Sequence, residues 1–366
     1  MIEYFITFLL AFILAFSATP FAKKIAFKIG AIDIPKDDRR MHKKPIARLG
    51  GLAIVAAFLV SIIFNFASYS DSITSLDFGR QFLGMLAGII VVVFLGIFDD
   101  VKQLGPRIKF VVQIAAAVIV VSTGTTISFV TNPLSISGMS NLNPVISYIL
   151  TVFWIVGITN AINFIDGLDG LAAGVASIAS LSLFIVSVLR GDVTTAMITA
   201  ALAGSALGFL PYNFNPAKIF MGDTGSTFLG FTLAVVSIQG TLKQYTAIAI
   251  AIPLLVLGLP LFDTAFAIIR RILHGKSPMQ PDRGHLHHRL MDMGLSQKQS
   301  VIIMYTISSA MGLCAIVLAD RGVLSAAILA VAIVVFVFGG ARYMNEIEDT
   351  PNIQPTEERN IKMNKQ

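Results

Sequence analysis

Apolar residues run along this chain in long unbroken blocks. Eleven stand out, at about 2–21, 49–67, 82–98, 110–123, 145–162, 171–189, 194–210, 226–239, 245–269, 301–318 and 323–340. A helix needs about 20 such residues to cross a bilayer. Runs such as AGIIVVVFLGIF (87–98) lack the one-in-two rhythm of barrel strands. The pattern predicts an all-α polytopic membrane protein with about eleven transmembrane helices. Two blocks depart from type. The stretch 226–239 is the weakest span, and 245–269 holds Pro253 and Pro260, which predict a kink or a break. From Arg342 the chain turns polar, so residues 1–340 are expected to form the membrane domain and 341–366 a mobile cytoplasmic tail.

Composition agrees. Charged residues make up 13% of the chain and hydrophobic residues 55%, whereas a soluble domain carries about 25% charged residues. Glu3 stands where a secretory signal would be basic, and the first basic cluster follows the apolar block, so no signal peptide is expected. A lone cysteine, Cys314, excludes a disulfide framework within the chain.

Charge then orients the spans. Alternate loops, starting with the first and ending with the tail, hold 23 of the 27 lysines and arginines. Basic residues favour the cytoplasmic side, so the N-terminus is expected outside and the C-terminus inside. The same loops hold all five histidines and Asp99, Asp100, Asp166, Asp169 and Asp223. The groups capable of acid–base or metal chemistry thus collect on one face.

Asp99 and Asp100 end the third block, in FDDVKQL (98–104). Adjacent carboxylates repel, and their oxygens suit Mg²⁺ bridging to a phosphate; a solvated helix end is the plainer alternative. In NAINFIDGLDGLAAG (160–174), Asn160, Asn163, Asp166 and Asp169 recur every three residues, which brings them near one face of a helical turn. Glycines such as Gly167 let a ligand approach the backbone. Asp223 lies in FMGDTGS (220–226), where a helix start offers free N–H groups to a phosphate. Arg283, His285, His287 and His288 crowd one loop; their spacing lacks a zinc-protease frame and suits phosphate and sugar recognition instead. Lys44 and Arg48 close the most basic stretch, which serves either topology or a lipid phosphate. Asp263 sits inside an apolar block, two helical turns before Arg270; an ion pair and a site-lining role both remain open.

Taken together, these groups suit Mg²⁺, a diphosphate and a sugar, and they point to a phosphotransferase with a soluble nucleotide donor and a lipid-borne acceptor. FDDVKQL, NAINFIDGLDGLAAG, FMGDTGS and GHLHHRL (284–290), in that order, with PIARLGG at 45–51, resemble the polyprenyl-phosphate N-acetylhexosamine-1-phosphate transferases, the family of MraY and WecA, and most closely its TagO-type members. The resemblance implies transfer of GlcNAc-1-phosphate from UDP-GlcNAc to undecaprenyl phosphate, with release of UMP, in the bacterial cytoplasmic membrane. It implies Mg²⁺, replaceable by Mn²⁺, held by Asp223 and Asn163. Asp99 and Asp100 would activate or position the lipid phosphate. Phe220 would stack on uracil, Gly167 and Asp169 would contact it, and the histidines would meet sugar and phosphate. Asn160 would line the substrate site, and Asp166 would support its turn. A homodimer is common in such enzymes, and no nucleic-acid partner is expected. An MraY-like enzyme using UDP-MurNAc-pentapeptide is the near alternative; GHLHHRL argues against it, lacking a longer run of histidines. An ion-coupled transporter is the distant one, and it would place its acids near mid-membrane.

Overall fold

The computed structural model describes residues 1–34, 45–68, 76–131, 139–242, 250–275 and 284–348. The first helices are α1 (Ile2–Ile29), α2 (Gly51–Ser68), α3 (Leu76–Lys102), α4 (Pro106–Ser122), α5 (Pro144–Ile165) and α6 (Leu171–Leu189). There follow α7 (Val193–Asn213), α8 (Gly222–Leu242), α9 (Ala251–Val256), α10 (Gly258–Leu273), α11 (Leu286–Asp292), α12 (Gln297–Arg321) and α13 (Val323–Glu348). Each apolar block coincides with a helix, except that the described part of 245–269, from residue 250, is divided between α9 and α10 at Leu257, between its two prolines. Among the described residues, six helices are long and apolar enough to cross a membrane by length and composition, namely α1, α3 from Gly79, α5, α6, α7 and α12. The protein is therefore a helical membrane protein. Among the described residues, two short antiparallel ladders join the helices: β1 (Ile32–Asp33) with β2 (Ile46–Ala47), and β3 (Phe129–Thr131) with β4 (Met139–Asn141). At two or three residues per strand, they are too short for periodicity to foretell. The last helix runs on to Glu348, into the stretch read from sequence as tail.

Local chemistry sets the helix ends. Gly30 adopts the left-handed conformation (φ 78°) that stops α1, and Gly170 (φ 80°) precedes α6. Pro106 and Pro144 occupy first turns, where a missing N–H costs nothing. Asn143 and Asp192 cap α5 and α7, and Ser296 with Gln299 forms a capping box for α12.

Close packing follows from small residues. Ala11, Ala15, Ala22 and Ala26 bury one stripe of α1, and Gly204 and Gly208 of α7 bring their backbone against the Phe8 and Phe12 carbonyls. At the centre stands α8, buried along its length and packed by α2, α3, α5 and α6. This is the block that reads as the weakest span. Its Thr227, Thr232, Ser237 and Gln239 lower its hydropathy, yet they face protein: Ser237 accepts from Trp154 Nε1 at 3.1 Å, and Gln239 donates to Thr125 at 3.1 Å. The large exposed apolar side chains lie instead on outer helices, as at Leu83, Phe153 and Phe262.

Candidate active site where seven helix ends meet

The ends of α3, α5 and α10 converge with the starts of α2, α4, α8 and α11. Asp100, from α3, closes the start of α8. Its Oδ1 accepts the Asp223 N–H at 2.8 Å; its Oδ2 accepts the Thr224 N–H at 3.0 Å and hydroxyl at 2.7 Å. The first N–H groups of a helix lack partners within it, and here another helix supplies them. With its side chain fully covered, Asp100 is committed to holding α8.

Its neighbour points elsewhere. Asp99 Oδ1 accepts the Leu104 N–H at 2.7 Å, and Oδ2 lies 2.8 Å from Lys109 Nζ. The same ammonium reaches Asp223 Oδ2, so Lys109 of α4 bridges the two acids. Arg48 adds a guanidinium 3.9 Å from Asp100 and 4.0 Å from Asp223. Glycines permit this crowding. Gly222 is left-handed (φ 71°), and a Cβ there would fall on the Arg48 carbonyl oxygen and between the Asp100 oxygens. Gly51, Gly96 and Gly225 bring the backbones of α2, α3 and α8 together; a Cβ on Gly51 or Gly96 would strike the main chain of residues 223–225.

The 160–174 motif borders this cluster. Asn163 donates to Ser226 at 2.8 Å, tying α5 to the first turn of α8. Asn160 donates to Gln113 of α4 at 2.6 Å, one helical turn beyond Lys109. Asp169 Oδ2 accepts from Asn215 and from the Ala217 N–H, both at 3.0 Å, and so anchors the connection that leads to Phe220. Phe220 is half-buried; its N–H bonds the Ala47 carbonyl, and its own carbonyl accepts from Gly50.

Asp166 ends α5. Burial, with the negative charges of Asp223, Asp100 and Asp169 against the pull of Arg48, pushes its carboxyl up to about 7. An acid with a folded pKa above its unfolded value favours folding at low pH. That contribution is lost as pH climbs through about 7. Asp166→Asn is therefore expected to raise the melting temperature of substrate-free protein at pH 8, by about 1–2 °C per kcal/mol relieved. The gain should vanish near pH 4; detergent-phase thermal melts across pH measure it, and an equal gain at both pH values would refute the assignment.

The histidine segment lies against Gly167, whose added Cβ would sit 2.6 Å from His287 Nε2. His287 stacks on His285 with centroids 5.8 Å apart and meets His288 at 4.3 Å. Burial lowers the His287 pKa to about 4, so the ring is neutral at pH 7. It is 2% exposed, and Nδ1 has no hydrogen-bond partner among the described residues. Asp263 bonds His285 at 2.8 Å, and Arg270 donates to the Gly284 carbonyl at 2.8 Å, so both reach the histidine segment.

Asp99, Asp100, Asp223 and Arg48 thus meet directly, with Asn163 one hydrogen bond away and Asp166 within their field. Lys44 and Arg283 lie outside the described residues. Sequence reasoning assigned no site role to Lys109, Gln113, Thr224 or Ser226. A signal for the first two was present: they are polar, four residues apart, in a stretch of α4 (108–121) that is otherwise apolar.

Among the described residues, no three His, Cys, Asp or Glu side chains form a metal-holding group by themselves. Asp223 and Asn163 offer one carboxylate and one amide oxygen, the donor types of an ion that takes few protein ligands. Mg²⁺ is such an ion, completing its shell with water and substrate phosphate.

Comparison with known proteins bears on the chemistry. The family model described as glycosyl transferase family 4 matches residues 82–241. The chain is 40% identical over 323 residues to a probable undecaprenyl-phosphate N-acetylglucosaminyl 1-phosphate transferase of Bacillus subtilis, covering 87% of this chain and 86% of that protein. It is 37% identical over 354 residues to a decaprenyl-phosphate N-acetylglucosaminephosphotransferase of Mycolicibacterium smegmatis, covering 89% and 85%. An undecaprenyl-phosphate alpha-N-acetylglucosaminyl 1-phosphate transferase of Salmonella typhi is 29% identical over 290 residues, covering 77% and 75%.

Proposed function

Since the chain belongs to glycosyl transferase family 4, we propose that it transfers GlcNAc-1-phosphate from UDP-GlcNAc to undecaprenyl phosphate. The phosphate oxygen of the lipid forms a bond to the sugar-linked phosphorus, the diphosphate bond breaks, and UMP leaves. The product is a lipid-linked diphosphate sugar that starts a surface glycan, such as a teichoic acid. The site faces the cytoplasm in a bacterial inner membrane, with the eleven blocks as spans.

The observation that carries this reading is the meeting of Asp99, Asp223 and Lys109 at the start of α8, with Arg48 beside them. A phosphomonoester has its second pKa near 6, so the attacking group is already largely dianionic at pH 7. A strong base is not the main requirement. The larger task is to bring two anions together and offset the charge that develops. Lys109 and Arg48 supply fixed positive charge for this. Asp223 and Asn163 would hold Mg²⁺, which when bound neutralises the diphosphate and stabilises the leaving phosphate. Asp99 stands beside Asp223 as the acid that orients the incoming lipid phosphate, and Asp100 keeps α8 in register.

Purified protein, given radiolabelled UDP-GlcNAc and undecaprenyl phosphate, is expected to form labelled lipid and UMP only when Mg²⁺ or Mn²⁺ is present. UDP-MurNAc-pentapeptide in place of UDP-GlcNAc should give no lipid product. UMP release that needs no lipid acceptor, or that persists in excess chelator, would reject the proposal.

A further inference from the structure

After the break at Leu257, α10 reaches the histidine segment through a buried carboxylate. Asp263 Oδ2 lies 2.8 Å from His285 Nδ1, and Oδ1 accepts the Leu286 N–H at 2.7 Å. The two side chains are 6% and 9% exposed. Leu261, Phe262, Ala265 and Phe266 flank Asp263 on an apolar helix, so charge at this position is costly.

A capping duty does not account for that cost. Asp263 does serve as a remote cap for α11, because Leu286 is its first residue. Serine or asparagine caps about as well as aspartate and brings no charge. What the carboxylate adds is obligatory acceptance. It has no proton to give, so the His285 nitrogen beside it must carry one. Nε2 is then the atom left for other partners. The ring is also held from its sides, with Phe164 at 6.5 Å and 50° and His287 at 5.8 Å and 9°.

We propose that Asp263 is a positioning residue of the transferase, fixing the tautomer and ring orientation of His285 so that Nε2 is presented to the donor substrate. This inference rests on the function proposed above. Neutral Nε2 accepts a hydrogen bond from a sugar hydroxyl; in the imidazolium it donates one to a phosphate oxygen. Either use depends on Nδ1 being held by an acceptor.

Asp263→Asn separates this role from capping. The amide is isosteric and keeps an oxygen for the Leu286 N–H, but its nitrogen donates to His285 Nδ1 and imposes the other tautomer. We expect kcat for UMP release to fall at least about tenfold, as when a histidine loses its orienting carboxylate. The KM for UDP-GlcNAc should move less than about threefold, since an interaction used mainly in the transition state is lost. Asp263→Glu should recover more activity than Asp263→Asn, despite its longer reach. In a His285→Gln background, Asp263→Asn should cost less than about twofold more, because the two residues act as one unit. An Asp263→Asn rate near that of the unmodified protein, a rise in KM alone, or multiplying losses in the double variant would each overturn the proposal. If Asp263→Asn melts far below the unmodified protein, the same cycle run with Asp263→Glu decides. Failure of the transferase reading looks different, for then the unmodified protein itself releases no UMP.

Discussion

Asp223→Ala is expected to lower transfer by about a thousandfold or more, and raising Mg²⁺ should not restore it. Asp223 sits where three things meet: the Lys109 ammonium, the Arg48 guanidinium and the first turn of α8. Alanine removes a proposed metal ligand and also leaves Lys109 to Asp99 alone. The lysine would then be drawn toward one acid and away from the position between the two. Asp223→Asn should fall nearly as far, because a neutral amide preserves shape but not charge. Initial rates of UMP release in detergent, at rising Mg²⁺, measure this. A rate within about tenfold of the unmodified protein would count against the site as drawn.

Gly222→Ala is expected to be almost as damaging, though it adds a single methyl group and changes no charge. Two effects combine. A left-handed residue with a Cβ costs about 1–2 kcal/mol. The added carbon would also meet the Arg48 carbonyl and both oxygens of Asp100, so the first turn of α8 must part from the group that caps it. Displacing reacting groups by about 1 Å can cost about a hundredfold in rate. The variant should lose at least that much kcat and melt lower. Gly157→Ala is the matched control, since among the described residues nothing beyond its own helix turn lies within 4 Å of a Cβ added to that α5 glycine. Activity of Gly222→Ala within about threefold of the control would show that the α8 start tolerates movement.

The helices were legible because a chain that must face lipid announces it in long apolar runs. The division of α9 from α10 was legible in Pro253 and Pro260. The importance of α8 was not. Hydropathy measures fitness for lipid, and a helix enclosed by protein can carry Ser237 and Gln239 at no such cost, provided that each finds a partner. In the site, the acids and glycines were visible as motifs, but their division of labour was hidden. Asp99 and Asp100 are consecutive, and consecutive residues on a helix point about 100° apart. Nothing in one sequence says which of them meets Lys109 and which meets α8. The pairing of Asp263 with His285 was equally hidden, because Arg270 on the same helix offered a nearer opposite charge.

Gly51, Gly96 and Gly225 leave the enzyme little evolutionary latitude at this junction. Where they meet, α2, α3 and α8 touch main chain to main chain beside the acids. A side chain added at 51 or 96 would pry the helices apart and carry the acids with them. Drift in sequence must therefore be accommodated elsewhere in the molecule.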